Sequence, residues 1–281
     1  MKKILILGSA GMAGHMITRY LLSLKKYNLY TLARNDKYVY ANYYIDIQKE
    51  LDMLKPVIDT IKYDIIINCI GLLVSQAKEN LKKALYINYV FPHWLENRTK
   101  NMNTKIIHLS TDCVFLGTKG NYTETDKPDE ISNYGMSKIL GEIKNEKDLT
   151  LRLSIIGSEL KKDGSGLFEW FMKQKGEIGG YSKCYWNGIL TLELAKQIDK
   201  IINLDYNLTG LYQLAPDFKI SKFDLLKKIA KIFNKEIVIK ANDNLIQDKT
   251  LLNGRKNEYD PQIPSYDIQL EEMRDFIEEY K

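Results

Sequence analysis

Short apolar runs alternate with amphipathic stretches through the first half of the chain. Lys2–Leu7 (KKILIL) is an uninterrupted apolar run ending at a glycine, the pattern of a strand covered on both faces. Met12–Leu24 follows with apolar residues at helical spacing. Leu29–Ala33, Tyr43–Ile45, Tyr63–Ile70, Lys105–Ser110 and Leu149–Ser154 read as further strands. Ser75–Arg98 reads as one long helix with a kink expected at Pro92, and Tyr134–Lys147 as another helix. Strands alternating with helices predict parallel βαβ units with right-handed crossovers, hence an α/β fold with a doubly wound parallel sheet. The ligand crevice of such a sheet lies at the carboxyl ends of its strands. After about Ile156 the alternation loosens. Gly164–Lys175, Thr191–Asn203 and Ser265–Tyr280 read as helices, and Leu211–Ala215 and Glu236–Lys240 as strands. Ser221 with Asp224 resembles a capping box opening a helix over Phe223–Phe233.

The first strand runs into Gly8-Ser9-Ala10-Gly11-Met12-Ala13-Gly14 at the start of the first helix. The first glycine permits the tight turn. The second lets the backbone approach a pyrophosphate, and the third lets helix and strand pack closely. The helix start then offers free N–H groups to phosphate. This G-x-x-G-x-x-G loop, at the first βα junction, predicts a Rossmann-type dinucleotide-binding domain over 1–156. A smaller C-terminal substrate lobe follows over 157–281, with some segments returning to the sheet. Where an acidic residue often reads the NAD ribose, Arg34 follows the second strand. A guanidinium suits a 2′-phosphate, so NADPH is the expected cofactor; Asp36 two residues on leaves NADH open.

Charge and composition narrow the classes. Lys and Arg exceed Asp and Glu by 41 to 36, a dispersed excess that argues against a nucleic-acid partner. No apolar run approaches the ~18 residues of a membrane span. The three cysteines, Cys69, Cys113 and Cys184, form no C-x-x-C pair, and no leader precedes the first strand. A reducing, cytoplasmic setting is expected. His15, His93 and His108 lack metal-ligand spacing, so no metal is expected.

Ser110-Thr111-Asp112 ends the fifth strand, and Tyr134-Gly135-Met136-Ser137-Lys138 opens the next helix. Four residues apart, Tyr134 and Lys138 share a helix face. An ammonium beside a phenol lowers its pKa, and such a tyrosine can protonate a developing alkoxide near neutral pH. The Thr111 hydroxyl is placed to polarise the same carbonyl. Reduced nicotinamide would supply the hydride. A Tyr-x-x-x-Lys spacing alone is weak among 19 tyrosines; its order after the glycine loop and strand-end hydroxyls gives it weight.

Together these segments resemble the extended short-chain dehydrogenase/reductase superfamily, and within it the dTDP-4-dehydrorhamnose reductase group. The likeness rests on GSAGMAGH (Gly8–His15), NCIG (Asn68–Gly71), STDCVFLGTKGNYTETDKP (Ser110–Pro128), YGMSKILGE (Tyr134–Glu142) and LRLSIIG (Leu151–Gly157). It implies an NAD(P)H-dependent reductase of a nucleotide-linked 4-keto-6-deoxyhexose, serving surface polysaccharide. Thr111, Tyr134 and Lys138 match the family's catalytic residues, with Lys138 also on the nicotinamide ribose. By the same likeness, Gly8, Ala10, Gly11, Met12, Ala13, Gly14, Asp46, Ile47, Cys69, Ile70, Gly71, Asn88 and Ser110 would meet the cofactor. Asp112, Cys113, Val114 and Phe115 would face the substrate, with Trp186 and Arg255 as looser candidates. Ser75–Arg98 and the Tyr134 helix are candidates for a homodimer face. Two departures stand out. Cys113 replaces the acid that sugar dehydratases carry, which argues against dehydration. Ser154-Ile155-Ile156-Gly157 lacks the tryptophan of the rhamnose-forming enzymes, which leaves a related sugar such as an acetamido-dideoxyhexose equally open. An epimerase of the same fold and a non-catalytic NADP-binding regulatory subunit are the competing readings.

Overall fold

The computed structural model describes residues 1–37, 41–161, 164 and 166–279. Ser165, in the helix expected over 164–175, and Tyr280, at the end of the closing helix, lie outside the described residues.

The apolar runs become the strands of one sheet. β1 (Lys3–Leu7) leads into α1 (Met12–Ser23), β2 (Asn28–Ala33) and the short β3 (Tyr43–Tyr44). α2 (Leu51–Thr60) returns to β4 (Ile65–Asn68). This helix escapes a sequence reading because Pro56 interrupts it, although Leu54 and Ile58 are its buried side. α3 (Val74–Glu79), α4 (Leu81–Leu85), a π-turn (Tyr86–Val90) and α5 (Phe91–Thr99) then lead to β5 (Lys105–Leu109). α6 (Asn133–Leu140) precedes β6 (Leu149–Arg152).

All pairings in this sheet are parallel. With the late strand β11 (Gly210–Gln213), defined below, the order is β11-β6-β5-β4-β1-β2-β3. The order reverses between β1 and β4, so the crevice opens there. Ile4, Ile6, Ile67, Ile107, Leu149 and Leu151 form one core layer, and Leu5, Leu7, Leu32, Ile66, Ile106, Phe91 and Leu95 the other. Each fully buried side chain of this kind contributes roughly 1.5–3 kcal/mol.

The second half of the chain starts with β7 (Ile155–Ile156), followed by α7 (Leu167–Lys173), β8 (Glu177–Tyr181), β9 (Cys184–Trp186) and β10 (Ile189–Leu190). Next come α8 (Thr191–Ile202), which packs on α1, and β11, which returns to the main sheet beside β6. β12 (Ile220–Ser221), α9 (Lys222–Ile232), β13 (Val238–Asn242), β14 (Gln247–Asp248) and α10 (Tyr266–Glu279) complete it. Ser221 Oγ accepts from Asp224 N at 3.0 Å, the expected cap of α9. β8 pairs with β13, and β9 lies between β12 and β14. Phe168, Phe171, Leu225, Ile229, Leu270 and Met273 form a further core cluster, joined by Met16 of α1.

The long helix expected over 75–98 is broken at Asn80, not Pro92. Asn80 takes an extended conformation and caps α4, its side chain accepting from Lys83 N at 2.9 Å. Pro92 sits in the first turn of α5, where its missing N–H removes little. Likewise α6 ends at Leu140 rather than running to Lys147.

Candidate active site

Gly8 leaves β1 with φ +82°, and the amides of Gly8 and Ser9 donate to Leu32 O at 2.9 and 3.0 Å. The loop is thereby fixed to the end of β2. A Cβ on Gly14 would stand 2.1 Å from Gly8 O, so α1 packs on the strand end as the third glycine predicts. No side chain caps α1. The amides of its first turn are left for a ligand, and Met12 and Ala13 line the cleft beside them.

Two cavities flank this loop. One is lined by Gly8, Leu32, Arg34, Asp46, Ile47, Gln48, Leu72 and Lys83. The other is lined by Met12, Ser110, Thr111, Asp112, Cys113, Tyr134, Lys138, Ser154 and Ile155. Ala10, Gly11, Cys69, Ile70, Gly71, Gln76 and Lys161 line both. A long ligand can therefore run from one cavity over the glycine loop into the other. An extended dinucleotide fits this shape, with Arg34, exposed at the far end, available to a 2′-phosphate.

The strand-end hydroxyls and α6 meet in the second cavity. Thr111 Oγ1 donates to Asp112 Oδ1 at 3.2 Å and accepts from Cys113 N at 3.1 Å, and its hydroxyl favours the charged form of the Tyr134 phenol. Ser132 caps α6, its hydroxyl accepting from Gly135 N at 3.2 Å, which places Tyr134 in the first turn. Lys138 is buried and its Nζ donates to Leu109 O at 2.7 Å. Burial pushes its ammonium down to about 8 against the pull of the Glu142 carboxylate.

The phenol departs from expectation. Burial raises its pKa, Cys113 and Asp112 act in the same direction, and only the Thr111 hydroxyl opposes them. Helical spacing puts Tyr134 and Lys138 on one face, but the lysine's hydrogen bond goes to the strand carbonyl. Tyr134 is thus held as a protonated acid. Burial also raises Asp112 and pushes the Cys113 thiol up to about 12, so Cys113 stays a neutral thiol.

Several expected contact residues stand behind the site. Asn88 is fully buried in the π-turn. Its Oδ1 accepts from Leu72 N at 2.8 Å, and its Nδ2 donates to Ser137 Oγ at 3.0 Å. It ties the Gly71–Leu72 loop to α6 rather than lining either cavity. Ser110 lines the cleft, but its hydroxyl donates to Glu142 Oε1 at 2.9 Å. Glu142 in turn holds the fully buried Arg152 through two bonds of 2.8 Å. Val114 and Phe115 do not face the substrate side. Both are fully buried in a cluster where Phe115 stacks on Tyr122. Trp186 is buried too. It stacks on Tyr266 and donates from Nε1 to Ser154 Oγ at 2.8 Å, bracing a cleft residue from behind. Arg255 is bound to Thr209 O, Leu211 O and Glu258, at the amino end of β11 and away from the crevice.

Sequence reasoning missed Gln76, Lys83, Ser154, Ile155, Glu159 and Lys161. Ser154 and Ile155 directly follow β6, and the strand-end rule could have found them. The others sit in loops and on helices without a motif.

A parallel sheet of this order, its glycine loop and a Thr–Tyr–Lys cluster at the strand ends define the extended short-chain dehydrogenase/reductase class. More narrowly, the chain belongs to the family described as RmlD substrate binding domain, whose model matches residues 1–244. It is 26% identical over 258 residues to a dTDP-4-dehydrorhamnose reductase of Aggregatibacter actinomycetemcomitans, covering 87% of this chain and 83% of the relative. Among solved structures, it resembles the dTDP-4-dehydrorhamnose reductase of Bacillus anthracis str. Ames in complex with NADP. The TM-score is 0.81 and the identity 24%, over 100% of both chains. A hypothetical dTDP-4-dehydrorhamnose reductase from Sulfolobus tokodaii superimposes with a TM-score of 0.77 at 27% identity, over 92% of this chain and 94% of the other.

Proposed function

We propose that this chain is a cytoplasmic, NADPH-dependent reductase of a nucleotide-linked 4-keto-6-deoxyhexose, acting in nucleotide-sugar biosynthesis for surface polysaccharide. One observation carries the reading: Thr111, Tyr134 and Lys138 line one cleft, which joins a dinucleotide-shaped cavity over the glycine loop. Residues 1–156 form the cofactor-binding part and 157–281 the substrate lobe.

Bound NADPH supplies the hydride. Gly8, Gly11 and the first turn of α1 hold its phosphates, Arg34 its 2′-phosphate, and Lys138 its nicotinamide ribose. Thr111 directs its hydroxyl at the substrate carbonyl oxygen. The buried, protonated Tyr134 delivers its proton to that oxygen as the alkoxide forms. Cys113, a neutral thiol, supplies no acid for loss of water. Ser154 and Ile155 border the sugar position without the tryptophan of rhamnose-forming enzymes, so an acetamido-dideoxyhexose is a candidate beside the rhamnose precursor.

The protein also pairs with a second copy. α4, the π-turn and α6 touch one another and expose Leu81, Tyr89, Val90, Met136 and Leu140. Among the described residues no helix is long and apolar enough to cross a membrane.

The substrate test is NADPH oxidation against a panel of dTDP- and UDP-linked 4-keto-6-deoxyhexoses, with and without an acetamido group. Reduction of at least one is expected. Tight NADPH binding with no oxidation on any of them would refute the reductase reading.

A further inference from the structure

The two cavities meet over the glycine loop, and a dinucleotide's diphosphate must cross at that junction. Of the side chains shared by both cavities, Lys161 is the only charged one among the described residues. Arg34 and Lys83 line only the adenosine end, and Lys138 only the catalytic end. Among the described residues the Lys161 ammonium makes no hydrogen bond or ion pair, whereas Lys138 in the catalytic cavity is bound to Leu109 O.

Lys161 is held over the junction by the lobe. It belongs to the segment between β7 and α7. Glu159 Oε1 accepts from Gly166 N at 2.7 Å, and Glu159 N donates to Glu169 Oε1 at 3.0 Å, which ties the segment to α7. Gly166 rests on Met12, where a Cβ would stand 2.4 Å from the methionine methyl. Gly166 therefore lies against the first turn of α1. That turn supplies roughly half a positive charge, far short of neutralising a doubly charged diphosphate. The Lys161 ammonium, lining both cavities at that junction, adds a full positive charge.

We infer that Lys161 is a cofactor-binding residue that grips the dinucleotide's diphosphate from the substrate-lobe side, so that the diphosphate is held between α1 and the lobe. The inference rests on the reading that NADPH occupies both cavities. It also gives the lobe a direct contact with the cofactor. The sugar nucleotide carries a diphosphate of its own, so the experiment must tell the two apart.

Binding of NADPH and of 2′-AMP, which occupies only the adenosine end, is measured for the wild type, Lys161→Met and Lys161→Arg. Lys161→Met should weaken NADPH about tenfold, the scale of one lost charge-assisted contact, and leave 2′-AMP unchanged. Lys161→Arg should restore most of the NADPH affinity. Unchanged NADPH binding in Lys161→Met would overturn the inference, as would equal losses for NADPH and 2′-AMP. A raised KM for the sugar nucleotide with NADPH binding intact would also overturn it, by assigning the ammonium to the substrate's diphosphate. A wild type that binds no NADPH would instead remove the reductase reading itself.

Discussion

At the level of single residues, the site works by burial. Tyr134 keeps its proton because the charged phenolate is disfavoured there, and Lys138 loses its own more easily for the same reason. These opposite directions suit a reduction, which needs a phenol that still has a proton to give and an ammonium that can donate to a ribose. They also set a pH dependence. Lys138 is charged below about 8 and a neutral amine above it. The value of kcat/KM for NADPH reports the free enzyme, so it should be flat near neutrality and fall about tenfold per pH unit above about 8. A profile still flat two units higher would show that the Lys138 charge plays no part in capturing the cofactor. Behind these groups, Glu142 and Arg152 anchor Ser110, which lines the cleft floor.

At the level of elements, the stretch 74–99 shows what a periodicity reading loses. Its apolar spacing is helical throughout, yet it folds as two short helices, a π-turn and a third helix. The π-turn carries Asn88, whose amide bridges the cofactor loop and α6. Such a turn inside a helical run is often functional, and here it holds the two sides of the cleft in register. The same elements present the exposed apolar face assigned to a second copy. Sedimentation at micromolar concentration should find a dimer, and Leu140→Glu with Val90→Glu should shift it to monomer. A wild type that is monomeric at that concentration would exclude this face as a stable homodimer interface.

At the level of the whole molecule, the first half was legible because its chemistry follows its topology. Buried parallel strands must be apolar, the turn after β1 must be glycine-rich, and reactive side chains must lie at strand ends, so Gly8, Thr111, Tyr134 and Lys138 could be placed from the chain alone. The lobe was less legible. Its strands β8 and β9 are short, and β8 alternates weakly around Gly179 and Gly180. Trp186 and Arg255 have the right chemistry for a ligand, but only three-dimensional packing reveals that each is committed elsewhere. Lys161 carries no motif, and it enters the site only because the lobe folds back over α1. The account as a whole depends on the Tyr134 phenol protonating the reduced carbonyl. Tyr134→Phe removes only that hydroxyl, so NADPH oxidation on the accepted keto-sugar nucleotide should be compared for the two proteins after matched NADPH binding. Turnover should drop at least about 100-fold with cofactor affinity unchanged; turnover near the wild-type rate would contradict the account.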